Sequence, residues 1–469
     1  MGSELLIRGY NVGCGDCFYV RIPNGTDDFH MLIDCGSKES AKSGVMKRAI
    51  AHMAEHELPA GAKAGKKRLD AIVVTHRHED HIKGFNPKFF KKIEIGNIWI
   101  TAAMDKTHSQ AKKTMALHDI AATAMNSLAA SGAAFSPEFA DLVALYGINN
   151  KGATDALTVS LPQKNGIEPK YVYAGMTSAD LDVSIADTEI TILAPEKDID
   201  GYYLGKELDN ALRGLQGGAD HFRSLAAPIK KSGPINISTD DFQTLQSRML
   251  SNGLAFAVDD SKIQNNVSAV LLIEWKSKRL LFVGDAEWED EYREGKKNGS
   301  WNVMWHVRKE HLSQPVDFLK AGHHGSHNST PWNRHADETN EVNKIFNAIL
   351  PLPGLGKTPT AQCLVSTKRK QYDTIPDGEL LAEIGKRVSN TRSYLTDFRS
   401  TDVNFDPEDG IFNYSVMKTY SKKPSPREVG DKGWLDKPQP IRTDMQSKGK
   451  GQKDMLGEVE FIEVTFEAD

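Results

Sequence analysis

Three histidines and two carboxylates lie within six residues of the chain, in the segment 76–81 (HRHEDH) that follows the apolar run RLDAIVVT. His76 and His78, two residues apart on an extended segment, point the same way and can share one metal ion. Asp80 and His81 lie one turn further on and can bind a second ion. Imidazole and carboxylate are ligands that zinc, iron and manganese accept. The spacing therefore predicts a metal site on a loop held by a strand; a solvated loop without a ligand is the alternative.

Two later segments bring similar side chains to the ends of predicted strands. Asp285 follows the apolar run LLFVG, where a carboxylate needs a cation or hydrogen-bond donors nearby. Alternatively, Asp285 caps a helix formed by the following EWEDEYRE. His323 and His324 end the run DFLKAG, and adjacent residues in a strand face opposite ways. One of the two is therefore expected to bind metal, and the other to hold a substrate oxygen or to pack.

The composition limits the class of protein. A length of 469 residues allows one large elaborated domain or two domains, and 39% hydrophobic residues are enough for a sizeable core. The net charge of -5 gives no overall attraction to nucleic acid, although a local basic groove remains compatible with it. No apolar run is long enough to cross a bilayer, and the N-terminus lacks the features of a signal peptide. Four cysteines are too few for a disulfide scaffold, so we expect a cytoplasmic protein without membrane contact.

Strand and helix patterns alternate around the candidate ligands. The first third predicts strands at ELLIRGYNVG, DCFYVRIP, FHMLIDCGS, RLDAIVVT and IEIGNIWIT, a helix over 39–57 and two alanine-rich helices over 108–147. Residues 200–253 predict a loop-and-helix insertion. A hairpin is expected around 276–278, followed by strands at VDFLKAG, AQCLVSTKR and TRSYLTDF and a helix at PDGELLAEIGKRV.

The character of the sequence changes after about residue 400. Stretches rich in proline, glycine and lysine predict an exposed linker in which basic residues outnumber acidic ones. The final GEVEFIEVTFEAD alternates apolar and polar residues and predicts a closing strand. We therefore separate a main domain, 1–400, from a C-terminal extension, 401–469.

Several motifs resemble one family of hydrolases. THRHEDH matches the T-H-x-H-x-D-H signature of the metallo-β-lactamase-fold hydrolases. NVGCGDCFYV, LIDCGS, NNVSAVLL, LLFVGDAE and LKAGHHGS follow the order found in the branch that includes the hydrolase-like domain of the DNA-uptake protein ComEC. The resemblance implies a four-layer αββα metallo-β-lactamase sandwich over residues 1–400, with helical insertions, the one at about 200–253 among them, and metals at one edge.

The resemblance also implies a ligand set and two divalent ions, zinc first, with manganese or iron as alternatives. The implied metal ligands are His76, His78, Asp80, His81, Asp285 and His324. Asp285 would bridge the ions, Asp80 would also orient the attacking hydroxide, and His323 is the second candidate catalytic residue. Many family members add a third histidine to the first site, where this chain has Asn265-Asn266-Val267-Ser268. That site would then use Asn266 or water, or stay empty, so occupancy of both sites is a hypothesis.

The segment Cys14-Gly15-Asp16-Cys17 allows a redox pair or half of a zinc site. It falls within the opening strands, at positions where relatives have Gln and Ala, and no second C-x-x-C exists in the chain. We therefore favour a structural role for both cysteines. Asp16 and Asp34 match family acids near the metal edge, where we expect them to shape loops.

The implied site suits hydrolysis by a metal-bound hydroxide, and three hypotheses follow. The first is a phosphodiesterase, above all a nuclease acting on nucleic acid or a nucleotide, since DNA cleavage is attributed to the ComEC-type branch and residues 418–453 are rich in Lys and Arg. The second is a hydrolase of a small ester, lactone or phosphocholine-type substrate, with Tyr202, Tyr203, His221 and Phe222 roofing a pocket. The third is an effector subunit of a defence or signalling system, activated by a protein partner through the C-terminal extension.

Overall fold

Two mixed β-sheets, of seven and five strands, form the centre of the chain in a computed structural model. The structure describes residues 4–25, 27–130, 149–205, 257–367, 375–389, 453–454, 457–459 and 461–468. The strands are β1 Glu4–Tyr10, β2 Phe18–Ile22, β3 Phe29–Ile33, β4 Lys67–Val74, β5 Ile93–Thr101, β6 Lys170–Val172, β7 Thr188–Ala194, β8 Val270–Trp275, β9 Lys278–Phe282, β10 Phe318–Lys320, β11 Gln362–Leu364, β12 Lys453–Asp454, β13 Gly457–Glu458 and β14 Phe461–Glu467.

The first sheet has the strand order β14-β1-β2-β3-β4-β5-β6. Its pairs are antiparallel from β14 to β3 and parallel from β3 to β6. The predicted closing strand at the C-terminus is therefore the edge strand of this sheet, paired with β1 over its whole length. Arg8 of β1 forms ion pairs with Glu463 of β14 and with Glu57.

The second sheet has the order β11-β10-β9-β8-β7. β9, β10 and β11 are parallel, and β7, β8 and β9 are antiparallel. The expected hairpin is confirmed: Trp275 of β8 pairs with Lys278 of β9, so the loop between them has two residues. Lys276 in that loop has a φ of 52°, a left-handed conformation that suits a tight turn.

Helices cover the outer faces of both sheets. They are α1 Val45–His56, α2 Glu79–Ile82, α3 Ala111–Ala130, α4 Asn149–Asp155, α5 Leu161–Asn165, α6 Ser300–Val307, α7 Lys309–Leu312, α8 Glu341–Ile349 and α9 Gly378–Gly385. Residues 257–266 are also helical, and short 3-10 or π turns occupy Ala41–Ser43, Ala102–Met104, Ala156–Ser160, Asp200–Leu204 and His323–Gly325. None of the described helices has the length and apolar character that crossing a bilayer requires.

The alternation of side chains along the strands builds the layers. In β4, Ala71 and Val73 pack between the two sheets, whereas Ile72 and Val74 pack beneath α1. Residues of the second sheet, such as Phe282, complete the layer between the sheets. A third cluster lies between the second sheet and helices α6, α8 and α9. The four-layer αββα arrangement predicted from the sequence is therefore confirmed.

Some expected elements differ from the structure. No helix follows Asp285 directly, because α6 begins only at Ser300, so the helix-cap alternative for Asp285 is wrong. The first of the two alanine-rich helices is α3. The second falls mainly within 131–148, outside the described residues, as do most of the insertion, the strand at TRSYLTDF and residues 401–452.

Candidate metal centre

The metal-binding side chains predicted from the sequence meet at one edge of the sandwich. The segment 76–81 follows β4 of the first sheet, and Asp285 and His324 follow β9 and β10 of the second. Asp285 contacts histidines from the other sheet, with Oδ2 3.5 Å from His76 Nε2 and Oδ1 3.2 Å from His81 Nε2. His324 Nε2 lies 3.1 Å from Asp80 Oδ2. Residues distant along the chain thus share one buried site.

His76, His78 and Asp285 form one group whose ligand atoms all lie within 4.8 Å of one another. His76 Nε2 is 3.0 Å from His78 Nδ1, and all three side chains are buried. Burial lowers the pKa of His78 to about 3 and the pKa of His76 well below its usual value. Both imidazoles are therefore neutral near pH 7, which is the state that binds a metal.

His81, Asp285 and His324 form a second group with the same spacing. Burial alone would lower the pKa of His81, but Asp285, Asp16 and Asp34 together raise it well above its usual value. The pKa of His324 is also raised, because contacts with Cys14 and Asp80 outweigh the effect of burial. These raised pKa values favour protonated imidazoles, and a bound metal ion would replace those protons.

Asp80 carries a buried carboxylate oxygen that is suited to binding a cation. Its Oδ1 atom makes no hydrogen bond to any residue within the described ranges. An unsatisfied buried carboxylate oxygen is costly, and a divalent cation would satisfy it. Together with the neutral imidazoles, this orphaned atom makes the residues present a fitting site for divalent metal ions.

Asp34 and Thr75 orient the ring of His81. His81 Nδ1 lies 2.7 Å from Asp34 Oδ2, and Asp34 also accepts hydrogen bonds from Thr75 N at 2.8 Å and Thr75 Oγ1 at 2.6 Å. A proton on Nδ1 that is donated to Asp34 leaves Nε2 as the metal-binding atom. Asp34 adopts a φ of 54°, which aspartate and asparagine tolerate better than most residues.

His323 and His324 occupy a 3-10 turn rather than a strand, and both have positive φ values, 40° and 53°. The two residues therefore do not lie in a strand, although their side chains contact different residues, Asp80 for His324 and Glu287 for His323. His324 Nδ1 lies 2.7 Å from Ser366 O, which directs Nε2 into the site. His323 is 27% exposed and belongs to none of the ligand groups. Its Nδ1 lies 3.6 Å from Glu287 Oε1, and its backbone N–H donates to Asp285 Oδ1 at 3.1 Å.

Asp16 completes a further group with Asp34 and His81, but a lysine already supplies the cation there. Lys320 is 2% exposed and forms an ion pair with Asp16. Its Nζ also donates a hydrogen bond to Gly284 O at 3.2 Å. A fixed ammonium therefore balances the carboxylates behind His81. This group supports the metal centre and is not a third metal site.

The segment 265–268 stands where the resemblance would place a third histidine, and the side chain of Asn266 is hydrogen-bonded to neighbouring backbone groups. Asn266 Oδ1 accepts hydrogen bonds from the backbone of Glu287 at 3.1 Å and of Ser300 at 2.7 Å. The Asn266 amide donates to Lys262 O at 3.0 Å. With these contacts, Asn266 holds the loop after Asp285 and does not serve as a ligand. The first group therefore keeps three protein ligands, which is typical of a catalytic site with an open position.

Lys38 is a site residue that the sequence patterns did not reveal. Its side chain is 5% exposed, and Nζ lies 3.8 Å from Asp80 Oδ2. Burial alone would raise the pKa of Asp80, but Lys38 and His324 lower it well below its usual value. The only sequence signal is that Lys38 directly follows the predicted strand FHMLIDCGS.

Two aromatic residues expected to roof a pocket lie elsewhere. Tyr203 is fully buried, and its hydroxyl accepts a hydrogen bond from Glu196 N at 3.0 Å. Tyr202 packs against Tyr292. Both therefore stabilise the turn Asp200–Leu204, while His221 and Phe222 lie outside the described residues.

A family profile and solved structures resemble parts of this chain. Residues 11–121 match the profile of the Metallo-beta-lactamase superfamily, a range that includes segment 76–81. Among solved structures, the metallo-beta-lactamase fold protein YhfI from Bacillus subtilis aligns over 82% of this chain and 93% of its own length. The identity is 10% and the TM-score 0.32. No curated protein matches the chain.

Proposed function

We propose that this chain is a metal-dependent hydrolase of the metallo-β-lactamase type and, more specifically, a phosphodiesterase that cleaves nucleic acid. The observation that carries the proposal is the position of Lys38 beside the predicted ligand Asp80. The metal ligands by themselves would serve several classes of ester and amide. A choice among these classes has to come from residues that surround the ligands.

Lys38 supplies a positive charge where a substrate would approach the metals. No described residue accepts a hydrogen bond from its Nζ, and an ammonium in such a shielded position is costly unless an acceptor reaches it. A phosphoryl oxygen would accept a charge-assisted hydrogen bond from Nζ, in addition to the ion pair that Lys38 forms with Asp80 at 3.8 Å. A lactone or a carboxylic ester has no such charge. The position of Lys38 therefore supports an anionic phosphodiester over a neutral substrate.

The side chains have separable roles in this proposal. Divalent ions, when bound, would make water nucleophilic near neutral pH and polarise the phosphoryl group. Asp80 would orient the attacking water, and Lys38 would hold a non-bridging phosphoryl oxygen. Asp34 and Ser366 fix the imidazoles of the second group through Nδ1. His323, at the more exposed rim, would contact the substrate from the side of Glu287.

The first experiment is a substrate panel. The full chain, loaded with Zn²⁺ or Mn²⁺, is incubated with labelled single- and double-stranded DNA, RNA and cyclic dinucleotides, and in parallel with a lactone and a carboxylic ester. We expect cleavage of at least one phosphodiester. Hydrolysis of the neutral substrates alone, with metal confirmed bound, would overturn the proposal. Activity on none of them would also count against it.

A matched pair of lysine variants tests the role of Lys38. Lys38→Gln should lower kcat/KM for the phosphodiester roughly 10–100-fold, which is the usual effect of losing one hydrogen bond to a charged group. Hydrolysis of any neutral ester should be unchanged. Lys42→Gln, at an exposed lysine of the same segment, should leave both rates at the wild-type value. An equal loss on charged and neutral substrates would show that Lys38 acts on the metal centre instead.

A further inference from the structure

Cys14 lies within the metal centre, away from the core. Its ligand atom belongs to a group with Asp80 and His324 in which all ligand atoms lie within 4.8 Å of one another. Cys14 is 1% exposed, so its thiol is shielded from solvent within this group. Asp80, a member of this group, also carries Oδ1, the buried oxygen without a hydrogen bond to any described residue. The sulfur thus lies close to a carboxylate that has a free position for a cation.

The backbone around Cys14 fixes this placement. Lys38 N donates to Cys14 O at 2.7 Å, and Asp16 N donates to Asp80 O at 2.9 Å. At Gly15, a side chain is excluded, because an added Cβ would lie 2.3 Å from Gly36 O. The loop between β1 and β2 is therefore held tightly against the segment that carries the ligands, and the position of the Cys14 thiol follows from that contact.

The neighbouring Cys17 behaves differently. It lies in the core between the first sheet and α1, where its side chain hydrogen-bonds Cys35. Burial raises the pKa of Cys35 well above its usual value, as expected for an inert core thiol. The two cysteines of the C-x-x-C segment therefore point to different surroundings. A redox pair formed by Cys14 and Cys17 does not fit this geometry, and Cys17 alone has the structural role expected from the sequence.

We propose that Cys14 is a thiolate ligand of the ion that Asp80 and His324 hold. Binding of the ion would displace the thiol proton to solvent. A thiolate is a soft ligand, which favours zinc over manganese or magnesium at this position. The inference rests on the metal centre of the proposed function, but it does not depend on the substrate.

X-ray absorption at the zinc edge tests the assignment without reference to activity. In the zinc-loaded full chain we expect a sulfur shell at about 2.3 Å, besides nitrogen and oxygen ligands at about 2.0–2.2 Å. Cys14→Ser should remove the sulfur shell. Cys17→Ser, a change at the other buried cysteine of the same loop, should retain it. The cobalt-substituted protein gives a second readout, since a thiolate-to-cobalt charge-transfer band should disappear only in Cys14→Ser.

The outcomes separate this inference from the proposed function. A wild-type zinc centre with nitrogen and oxygen ligands only would overturn the role of Cys14, whatever the variants do, and would leave phosphodiester cleavage untouched. A sulfur shell that persists in Cys14→Ser would also overturn it. Failure of the wild-type chain to bind zinc at all would overturn the role of Cys14, but not phosphodiester cleavage supported by manganese. A sulfur shell in a protein that cleaves no phosphodiester would support Cys14 as a zinc ligand and would overturn only the proposal of nuclease activity.

Discussion

Replacement of Asp34 by asparagine tests whether the contact behind His81 controls metal binding. Asp34 accepts three hydrogen bonds, two from Thr75 and one from His81 Nδ1 at 2.7 Å. Asparagine has nearly the same shape and tolerates the φ of 54° at this position, whereas alanine would be strained there. The substitution Asp34→Asn therefore changes charge and hydrogen bonding while the backbone stays as it is.

The expected magnitude follows from the tautomer of His81. An amide oxygen can still accept from Thr75 N, but the amide group then presents N–H donors toward His81 Nδ1. His81 is pushed to carry its proton on Nε2, the atom that should bind metal. Replacing the hydrogen-bond partner of a metal-binding histidine usually lowers metal affinity roughly 10–100-fold. This corresponds to about 1.4–2.7 kcal/mol of binding free energy.

Competition with a chromophoric chelator measures the zinc affinity of the wild type and of Asp34→Asn. Asp187→Asn is the matched control, because Asp187 is exposed and has a φ of 51°. Urea unfolding of the metal-free proteins checks that both variants fold. Zinc affinity of Asp34→Asn equal to that of the wild type, in a folded protein, would refute the claim that Asp34 orients His81 for metal binding.

Three more predictions concern the same edge of the sandwich. Asp80→Ala should abolish hydrolysis in a protein that still folds and unfolds cooperatively in urea, because Asp80 lies beyond the end of β4; near wild-type turnover would contradict its role. Lys320→Met leaves the buried Asp16 carboxylate without its ion pair, so the free energy of unfolding should fall by about 3–5 kcal/mol, and unchanged stability in denaturant titrations would argue against that pair. Zinc affinity should rise with pH, since the pKa of His81 and of His324 is raised in the metal-free chain and the ion must displace those protons below these pKa values. Calorimetric titrations with zinc at about pH 6 and about pH 8, on either side of the ordinary histidine pKa, measure this difference. The same affinity at both pH values would contradict the prediction.

The segment after β4 was predictable because its information is local. The continuous apolar run AIVV predicts a buried strand, and the spacing of His76 and His78 needs no partner from elsewhere in the chain. The same holds for the hairpin at Lys276, where two apolar runs flank a short polar turn. The family resemblance supplied the pairing of distant ligands such as Asp285 with this segment.

The remaining part of the site depends on contacts that no local pattern reports. Lys38 and Cys14 reach Asp80 only because backbone hydrogen bonds join three separate loops, among them Lys38 N to Cys14 O. The turn at His323 has positive φ values that a strand pattern cannot anticipate. Asn266 looks like a substitute ligand by position, but backbone groups after Asp285 occupy its side chain. Long-range loop packing, rather than residue type, decides these roles.

The position of β14 beside β1 has a consequence for the order of events during synthesis on the ribosome. β1 is translated first among the strands, yet its outer edge stays open until Phe461–Glu467 emerges. Until then Arg8 lacks the carboxylate of Glu463, and the strand that leads into the loop of Cys14 has a partner on one side only. A nascent chain halted at residue 460 would already contain each predicted ligand without the strand that steadies this loop. Capture of metal by the newly made chain should therefore lag behind translation of the ligands and follow docking of the last strand.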